Sequence, residues 1–441
     1  MELRASRPSD RHRLALDCVQ AGIEAAHPRN VVHRTVDLDG ETLVVGDARY
    51  DLETFDRVLV VGGGKAAAGV ADALEAVLGD RIDAGAIVTY DPHTSGRIDH
   101  LPGDHPVPSC QGAESTRQVR EYLAEADERT LVLAIVTGGA SALLPAPVES
   151  VSLSDLRTTT EALLESGAEI SELNAVRKHL STLKGGGLAR RAVPATVVSL
   201  VFSDVVGNDL GVIASGPVSP DETTFSDALS VLDRYELAVP DAVRSHLERG
   251  ASGDIPETPK PGDPVFDRVT THILADGYTA LDAAAEVASD RGYTPCILSS
   301  RVRGEAREAA KSHVAVGEEV VATGNPIAAP AVILAGGEST VDVQDDGHGG
   351  PNLEFALSAA LEFTEDFVLA AVDTDGKDGG TDVAGALVDT ETIPDAEAAR
   401  DALARNDAAT YLASRNALVR TGPTGTNVND FRILVAGHID D

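Results

Sequence analysis

The sequence predicts an α/β protein whose strands gather in a doubly wound parallel sheet. Three observations carry that prediction. Short, largely β-branched apolar runs recur along the chain, most of them end in a glycine-rich loop, and an Ala/Leu-rich helical stretch follows. A run that is apolar at every position is that of a strand buried on both faces, and strands alternating with helices wind a parallel sheet. In such sheets ligands bind beyond the C-terminal ends of the strands. The loops that follow the runs are therefore the places to look for chemistry.

Residues 10–26 read as an opening helix, and Val31–Leu52 as a polar, hairpin-like stretch. The first buried run, Val58–Val61, opens VLVVGGGKAAAGVADAL. Gly62, Gly63 and Gly64 allow positive φ and let backbone N–H groups approach an anion, which the following helix N-terminus also favours. Lys65 stands where its ammonium can meet a phosphate or a carboxylate. Read literally, Gly62, Gly64 and Ala67 match G-x-G-x-x-G/A, with Asp91 ending the next run, Ala86–Tyr90, as in a dinucleotide site. A tight strand–helix turn needs glycine in any case, and the Walker spacing GxxxxGK[ST] is absent.

Leu131–Val136 leads into TGGASALLPAP, where Thr137, Gly138, Gly139 and Ser141 suit a phosphate-cradling loop or a bare turn; G-x-S-x-G is absent. In LNAVRKHLSTLKGGGLAR, Arg177, Lys178 and Lys184 read as lying on a helix that ends at Gly185–Gly187. Cations there either bind an anion or complement the helix dipole. The run Thr196–Phe202 places Ser203 and Asp204 at the crevice, and Ser215–Gly216 form a further small-residue loop.

Ile255–Phe266 holds four prolines without apolar period and reads as a linker. The expected division is thus a first domain over 1–255, a linker over 256–266 and a second domain over 267–441. The second domain has the runs Thr271–Ala275, Cys296–Leu298, Ala331–Ala335 and Phe367–Val372. Glu338 follows two glycines in VILAGGEST, and Asn352 and Glu354 stand at a helix start. Asp373, Asp375, Asp378 and Asp382 follow the last run. They read as a Mg²⁺- or hydroxyl-binding turn or as a solvated acidic turn, since the twelfth-position Glu of an EF-hand is missing. RTGPTGTNVND adds Thr424, Thr426 and Asn427.

Composition excludes several classes. With 36 basic and 71 acidic residues, the charge of −35 repels phosphate backbones, so no nucleic-acid partner is expected. No apolar run reaches the roughly 18–20 residues of a membrane helix, and MELRASRPSDRHRLALD lacks an apolar signal region, so a cytoplasmic protein without membrane association is expected. Cys18, Cys110 and Cys296 form no CxxC pair, which argues against a zinc site and a disulfide framework. There are only six lysines against thirty arginines, and Asp outnumbers Glu. That balance resembles adaptation to a high-salt cytosol, the alternative being an acidic mesophilic protein.

Anion-binding loops, Lys/Arg clamps and hard oxygen ligands are the parts that phosphoryl transfer uses. Hydride transfer would want a nicotinamide pocket with a proton donor, and no residue is singled out for that.

The motifs GGGKAA, TGGASALLPAP, LNAVRKHLSTLKGG, SDVVGNDL with ASGP, GGEST, DTDGKDGGTDVAGA and GPTGTNVND, in that order over about residues 10–435, together resemble the type II glycerate kinases, the MOFRL family. The resemblance implies ATP-dependent phosphorylation of D-glycerate at the 2-hydroxyl, with Mg²⁺ or another divalent cation. It implies a Rossmann-like N-terminal domain, a smaller C-terminal α/β domain of MOFRL type, and an active site in the cleft between them to which the last ~20 residues return. Carried over by motif, Lys65 and Asp373 are central to catalysis, with Asp204 close by. Gly62–Gly64, Thr137, Gly138, Gly139, Ser141, Arg177, Lys178, Lys184, Ser203, Glu338, Asn352, Glu354, Thr424, Thr426 and Asn427 would bind substrate or nucleotide, and Asp373 or Asp375 the metal. D-glycerate and ATP are the expected partners, and a homodimer is one oligomeric state open to the chain. Two positions depart from the family. Pro351 stands where the family has Arg in Gly-Arg-Asn-Gln-Glu, leaving Arg177, Arg303 and Arg432 as candidate replacements, and Ala140 replaces a glycine. The competing readings are an NAD(P)-linked hydroxypyruvate reductase and a non-catalytic nucleotide sensor.

Overall fold

The computed structural model describes residues 9–93, 96–344 and 347–439. Its strands, in chain order, are β1 (Val36–Asp39), β2 (Thr42–Val45), β3 (Ala48–Asp51), β4 (Arg57–Gly63), β5 (Ala84–Thr89), β6 (Ile98–Pro102), β7 (Thr130–Thr137), β8 (Thr196–Phe202), β9 (Val269–Ala275), β10 (Thr294–Glu305), β11 (Ala331–Thr340), β12 (Val368–Asp373), β13 (Gly385–Asp389), β14 (Leu418–Val419) and β15 (Asp430–Ala436). All eight apolar runs are strands. The hairpin-like stretch is a helix, Pro28–Thr35, followed by the antiparallel meander β1-β2-β3.

The chain divides into two compact units, 31–203 with 208–274, and 1–30 with 204–207 and 275–441. This corrects the expected domain boundaries at two places. The proline-rich stretch 256–266 is not a linker between the units. It leads into β9, which completes the edge of the first sheet, so the boundary falls after Leu274. The opening helix, Asp10–Ala26, belongs with the C-terminal residues, because Leu14, Val19 and Ile23 are buried in one apolar cluster with Leu281, Leu334, Phe431 and Ile433.

The first unit carries a six-stranded sheet in the order β6-β5-β4-β7-β8-β9, with every pair from β6 to β8 parallel. Each position of β7 is buried, as an apolar run covered on both faces requires. Helices Leu153–Glu165, Ile170–His179, Phe225–Arg234 and Asp241–Ala251 add a separate apolar cluster that includes Leu156, Val176, Phe225 and Leu247.

The other unit has a second six-stranded sheet, β10-β11-β15-β12-β13-β14. Here the expectation of parallel strands fails. Only β10–β11 pair in parallel, because β15 inserts between β11 and β12 and runs antiparallel to both. Alternate residues of β12 enter opposite cores: Leu369 and Ala371 meet the helix Pro351–Glu362 side, while Val368, Ala370 and Val372 meet the Asp10–Ala26 side. That period-two division between two apolar layers is why the run is continuous in sequence.

Candidate active site

In the first unit, the loops that follow β4 and β7 lie against each other. Gly64 has φ +133°, and a Cβ there would stand 2.1 Å from Thr137 Oγ1 and 2.6 Å from Thr137 O, so only glycine permits the contact. The Gly64 N–H donates to Val88 O (3.0 Å) and the Lys65 N–H to Gly138 O (2.8 Å). The Ala66 N–H donates to Thr137 Oγ1 (3.2 Å). These amides join three strand ends, and the expectation that the Gly62–Gly64 loop cradles phosphate with them is corrected accordingly. The loop delivers Lys65, whose ammonium makes no hydrogen bond or ion pair with any described residue.

Lys65 runs beside Gly139, where an added Cβ would meet Lys65 Cγ at 2.9 Å and His105 Cδ2 at 3.2 Å. Next to this contact is a cavity of about 170 Å³, lined by His105, Ser141, Arg177, Ser181 and Lys184 together with apolar groups such as Leu156. The short helix Ala140–Leu143 starts at its rim, and the first N–H groups of a helix have no intrahelical acceptor. Partial withdrawal from water, followed by the Lys65 and Arg177 charges, holds the His105 imidazole down at about 4, so it is neutral at physiological pH. Burial, then Arg177, brings Lys184 down to about 7; its Nζ donates to Leu144 O (3.1 Å). Arg177 makes no hydrogen bond or ion pair with a described residue. Ser141 Oγ is 2.7 Å from Ser215 Oγ, which donates to Asn174 Oδ1 at 2.8 Å. Ser215 and its neighbour Ala214 hold φ of +61° and +53°, a conformation non-glycine residues adopt at a cost and often near functional sites.

Two readings of the RKHLSTLK motif change. The helix Ile170–His179 stops before Lys184, which stands on the following turn. Lys178 does not face an anion site: it is buried, with Nζ 3.1 Å from Asp221 Oδ1. Burial alone would raise the Asp221 carboxyl. Lys178, Thr223, His179 and Thr258 outweigh it, and the net shift is downward. Lys178 is thereby held in the interior against Asp221, while its neighbour Arg177 makes no ion pair with a described residue. His105, which completes the cluster, was missed because it comes from a loop without pattern; only its place three residues after the end of β6 could have flagged it.

The other unit gathers carboxylates. Asp373 ends β12, and its Oδ1 accepts the Asp375 N–H at 3.0 Å. Burial and then the Asp375, Asp430 and Asp378 charges push its carboxyl well above the usual range. Glu338 is raised by desolvation, Asp204 and Asp430, in that order. The Asn429 side chain donates to Asp204 O. Ser203, assigned to the same motif, is buried at the end of β8 in the first unit.

Several expected ligands here are structural instead. Pro351 takes the first turn of the helix Pro351–Glu362, and Asp378 accepts the Asn352 and Leu353 N–H groups (2.9 and 2.8 Å) at that N-terminus. Asn352, wholly buried, donates to Asp430 Oδ1 at 2.7 Å. Glu354, also wholly buried, accepts from Asn406 at 2.7 Å and lies 3.5 Å from Arg307. Thr426 donates to Ala26 O (2.7 Å). Asn352, Glu354 and Thr426 are thus buried and engaged in contacts within the fold. Thr424 donates to Thr374 O (2.6 Å), and Asn427 Oδ1 accepts the Asn429 N–H (2.9 Å), fixing the loop beside Asp373 and Asp375. Among the candidate replacements for the family arginine, Arg432 is excluded: it is fully buried, paired with Asp430 at 2.6 Å and stacked 4.1 Å from the Phe355 ring centre. Arg303 donates to Val206 O (3.3 Å), which leaves Arg177 as the uncommitted one.

Asp373 and Asp375 offer carboxylate oxygens and make no ion pair with a described residue, which suits a hard divalent cation. Among the described residues no three His, Cys or carboxylate ligand atoms converge there. That suits Mg²⁺, which takes one or two carboxylates and completes its shell with water and substrate phosphate.

Comparison with known proteins follows the same lines. Residues 14–248 match a domain of unknown function (DUF4147), and residues 331–430 match the MOFRL family. A D-glycerate 2-kinase of Thermotoga maritima is 39% identical over 435 residues, covering 97% of this chain and 98% of the relative. A protein of Agrobacterium vitis named putative hydroxypyruvate reductase is 41% identical over 391 residues, covering 86% of this chain. The crystal structure of glycerate kinase from Thermotoga maritima superimposes with a TM-score of 0.85 at 38% identity, covering 97% of this chain and all of that one. By its motifs, its two sheets and its full-length likeness to these proteins, the chain belongs to the MOFRL, or type II, glycerate kinase family.

Proposed function

We propose that the protein transfers the terminal phosphoryl group of ATP to the 2-hydroxyl of D-glycerate, giving 2-phosphoglycerate. The observation that carries this reading is charge placement. Among the described residues of a chain of net charge −35, Lys65 and Arg177 have no carboxylate partner beside a small cavity, and such cations want an anionic ligand. Arg177, with its planar fork of donors, suits the glycerate carboxylate, and Lys65 suits the charge that develops on a transferring phosphoryl group. Asp373 and Asp375 would hold Mg²⁺ or another divalent cation, which when bound neutralises phosphate charge. Asp204, in the same acidic group as Glu338, would orient the substrate hydroxyl.

Incubation of the protein with D-glycerate, Mg-ATP and high KCl, with the product identified by ³¹P and ¹³C NMR, tests this. Expected is 2-phosphoglycerate. NADH consumption with hydroxypyruvate and no phosphorylated product would establish the reductase instead.

A further inference from the structure

Away from this pocket but in the same unit, three side chains from three elements meet. Asp72 lies on the helix Ala67–Leu78, His93 on the connection after β5, and His100 within β6, opposite Ile87 of β5. His93 Nε2 is 2.9 Å from Asp72 Oδ2, and His100 Nε2 is 3.6 Å from Asp72 Oδ1. One ligand atom from each of the three falls within 4.8 Å of the others. The two imidazoles stand edge to face, ring centres 4.4 Å apart.

His100 shows what this group lacks. Its side chain is fully buried, and neither ring nitrogen has a hydrogen-bond partner among the described residues. A buried polar group normally finds one. The Asp72 carboxylate is too far from His100 for a hydrogen bond, but two ligands of one tetrahedral ion with bonds of about 2.0–2.1 Å stand roughly 3.4 Å apart. The scaffold is firm: one turn beyond Asp72, Glu75 accepts the Gly96 and Ile98 N–H groups (3.0 and 2.7 Å), fixing the start of β6 on the helix.

We propose that Asp72, His93 and His100 bind one transition-metal ion of the Zn²⁺ class. The set of two imidazoles and one carboxylate suits zinc, with the half-exposed side of His93 and Asp72 leaving a fourth position to water. The ion fastens the helix that follows the Lys65 loop to the β5–β6 connection. It is separate from the oxygen-only Asp373 group and does not depend on the proposed reaction.

The test is Co²⁺ titration of EDTA-stripped, dialysed protein in excess Mg²⁺, followed by the visible d–d bands and by competition with Zn²⁺. Expected is one saturable equivalent without thiolate charge-transfer absorption, released by Zn²⁺, and a Zn²⁺-dependent rise in Tm. His93→Ala removes an exposed ligand and should fold as judged by circular dichroism; it and Asp72→Asn should each weaken binding at least tenfold. Equal binding by wild type and His93→Ala, or no saturable binding up to millimolar Co²⁺, would overturn the proposal.

Discussion

Two residues of nearly identical sequence context have opposite fates. Arg177 and Lys178 are adjacent on one helix, and a difference of one position, about 100° around the axis, sends Lys178 into the interior against Asp221 and Arg177 to the cavity. Breaking a buried pair by removing one partner costs on the order of 3–5 kcal/mol. Lys178→Met should therefore lower stability by about that amount in urea unfolding, with KM for glycerate little changed in the protein that folds. Arg177→Ala should do the reverse, raising KM for glycerate at least tenfold with Tm nearly constant; a variant with wild-type KM would remove Arg177 from the site. Lys65→Ala should lower kcat/KM by about 10²-fold or more, since one electrostatic donor to a transition state contributes about 3–4 kcal/mol. A variant keeping over half the activity would remove Lys65 from catalysis. The sequence made Lys65 conspicuous because lysine is scarce in it and the residue follows a strand and three glycines. It could not separate Arg177 from Lys178, because the deciding partner, Asp221, is 43 residues away. Nor could it show that Asn352 and Glu354 are buried, since polar residues at a helix start read equally well as ligands and as caps.

At the scale of elements, the buried strands were legible because apolar runs covered on both faces are continuous in sequence. The direction of pairing in the second sheet was not, since an antiparallel central strand shows the same apolar run as a parallel one. The placement of β15 and of the helix Asp10–Ala26 depends on contacts across nearly the whole chain, and no local pattern encodes it. The cap on Pro351–Glu362 makes a testable case of an element held by one side chain. Burial is the first cause that lifts Asp378 to about 7, against the lowering effect of the N–H groups it accepts. A carboxyl raised in the folded state binds more protons there than in the unfolded chain. Its contribution to stability is thus greatest below the ordinary carboxylate range and falls as pH rises toward about 7. Asp378→Asn keeps an acceptor for the helix and removes the titration. Measured by thermal unfolding between pH 4 and 8, the wild type should lose more stability with rising pH than Asp378→Asn does. Parallel curves would show that this carboxyl is not shifted in the folded protein.

For the whole molecule the governing quantity is charge. Of six lysines, Lys178 and Lys184 are buried and Lys65 lies near His105 beside the cavity, so half of them serve interior or site positions and few remain to offset the acidic surface. Salt acts on this surface in two opposed ways. It weakens exposed ion pairs such as Arg117–Glu114 and Arg129–Asp56, and it screens the mutual repulsion of an excess of thirty-five negative charges. Exposed pairs contribute only about 0–1 kcal/mol each, whereas the repulsion involves every acidic group within a screening length of about 10 Å at 0.1 M salt. Screening of repulsion should win, and Tm should rise between 0.1 and 3 M KCl. The same field repels glycerate and nucleotide, both anions, so their encounter with a cavity lined by Arg177 and Lys184 should quicken as salt shields the surrounding surface. Lys184 and Arg177 are screened less, because the cavity withdraws them from solvent. The expected result is that kcat/KM and Tm climb together with KCl. A Tm that is flat or falls over this range would refute adaptation to high salt, and a rising Tm with falling kcat/KM would show that the cavity cations, rather than the whole surface, govern how the anionic substrates arrive.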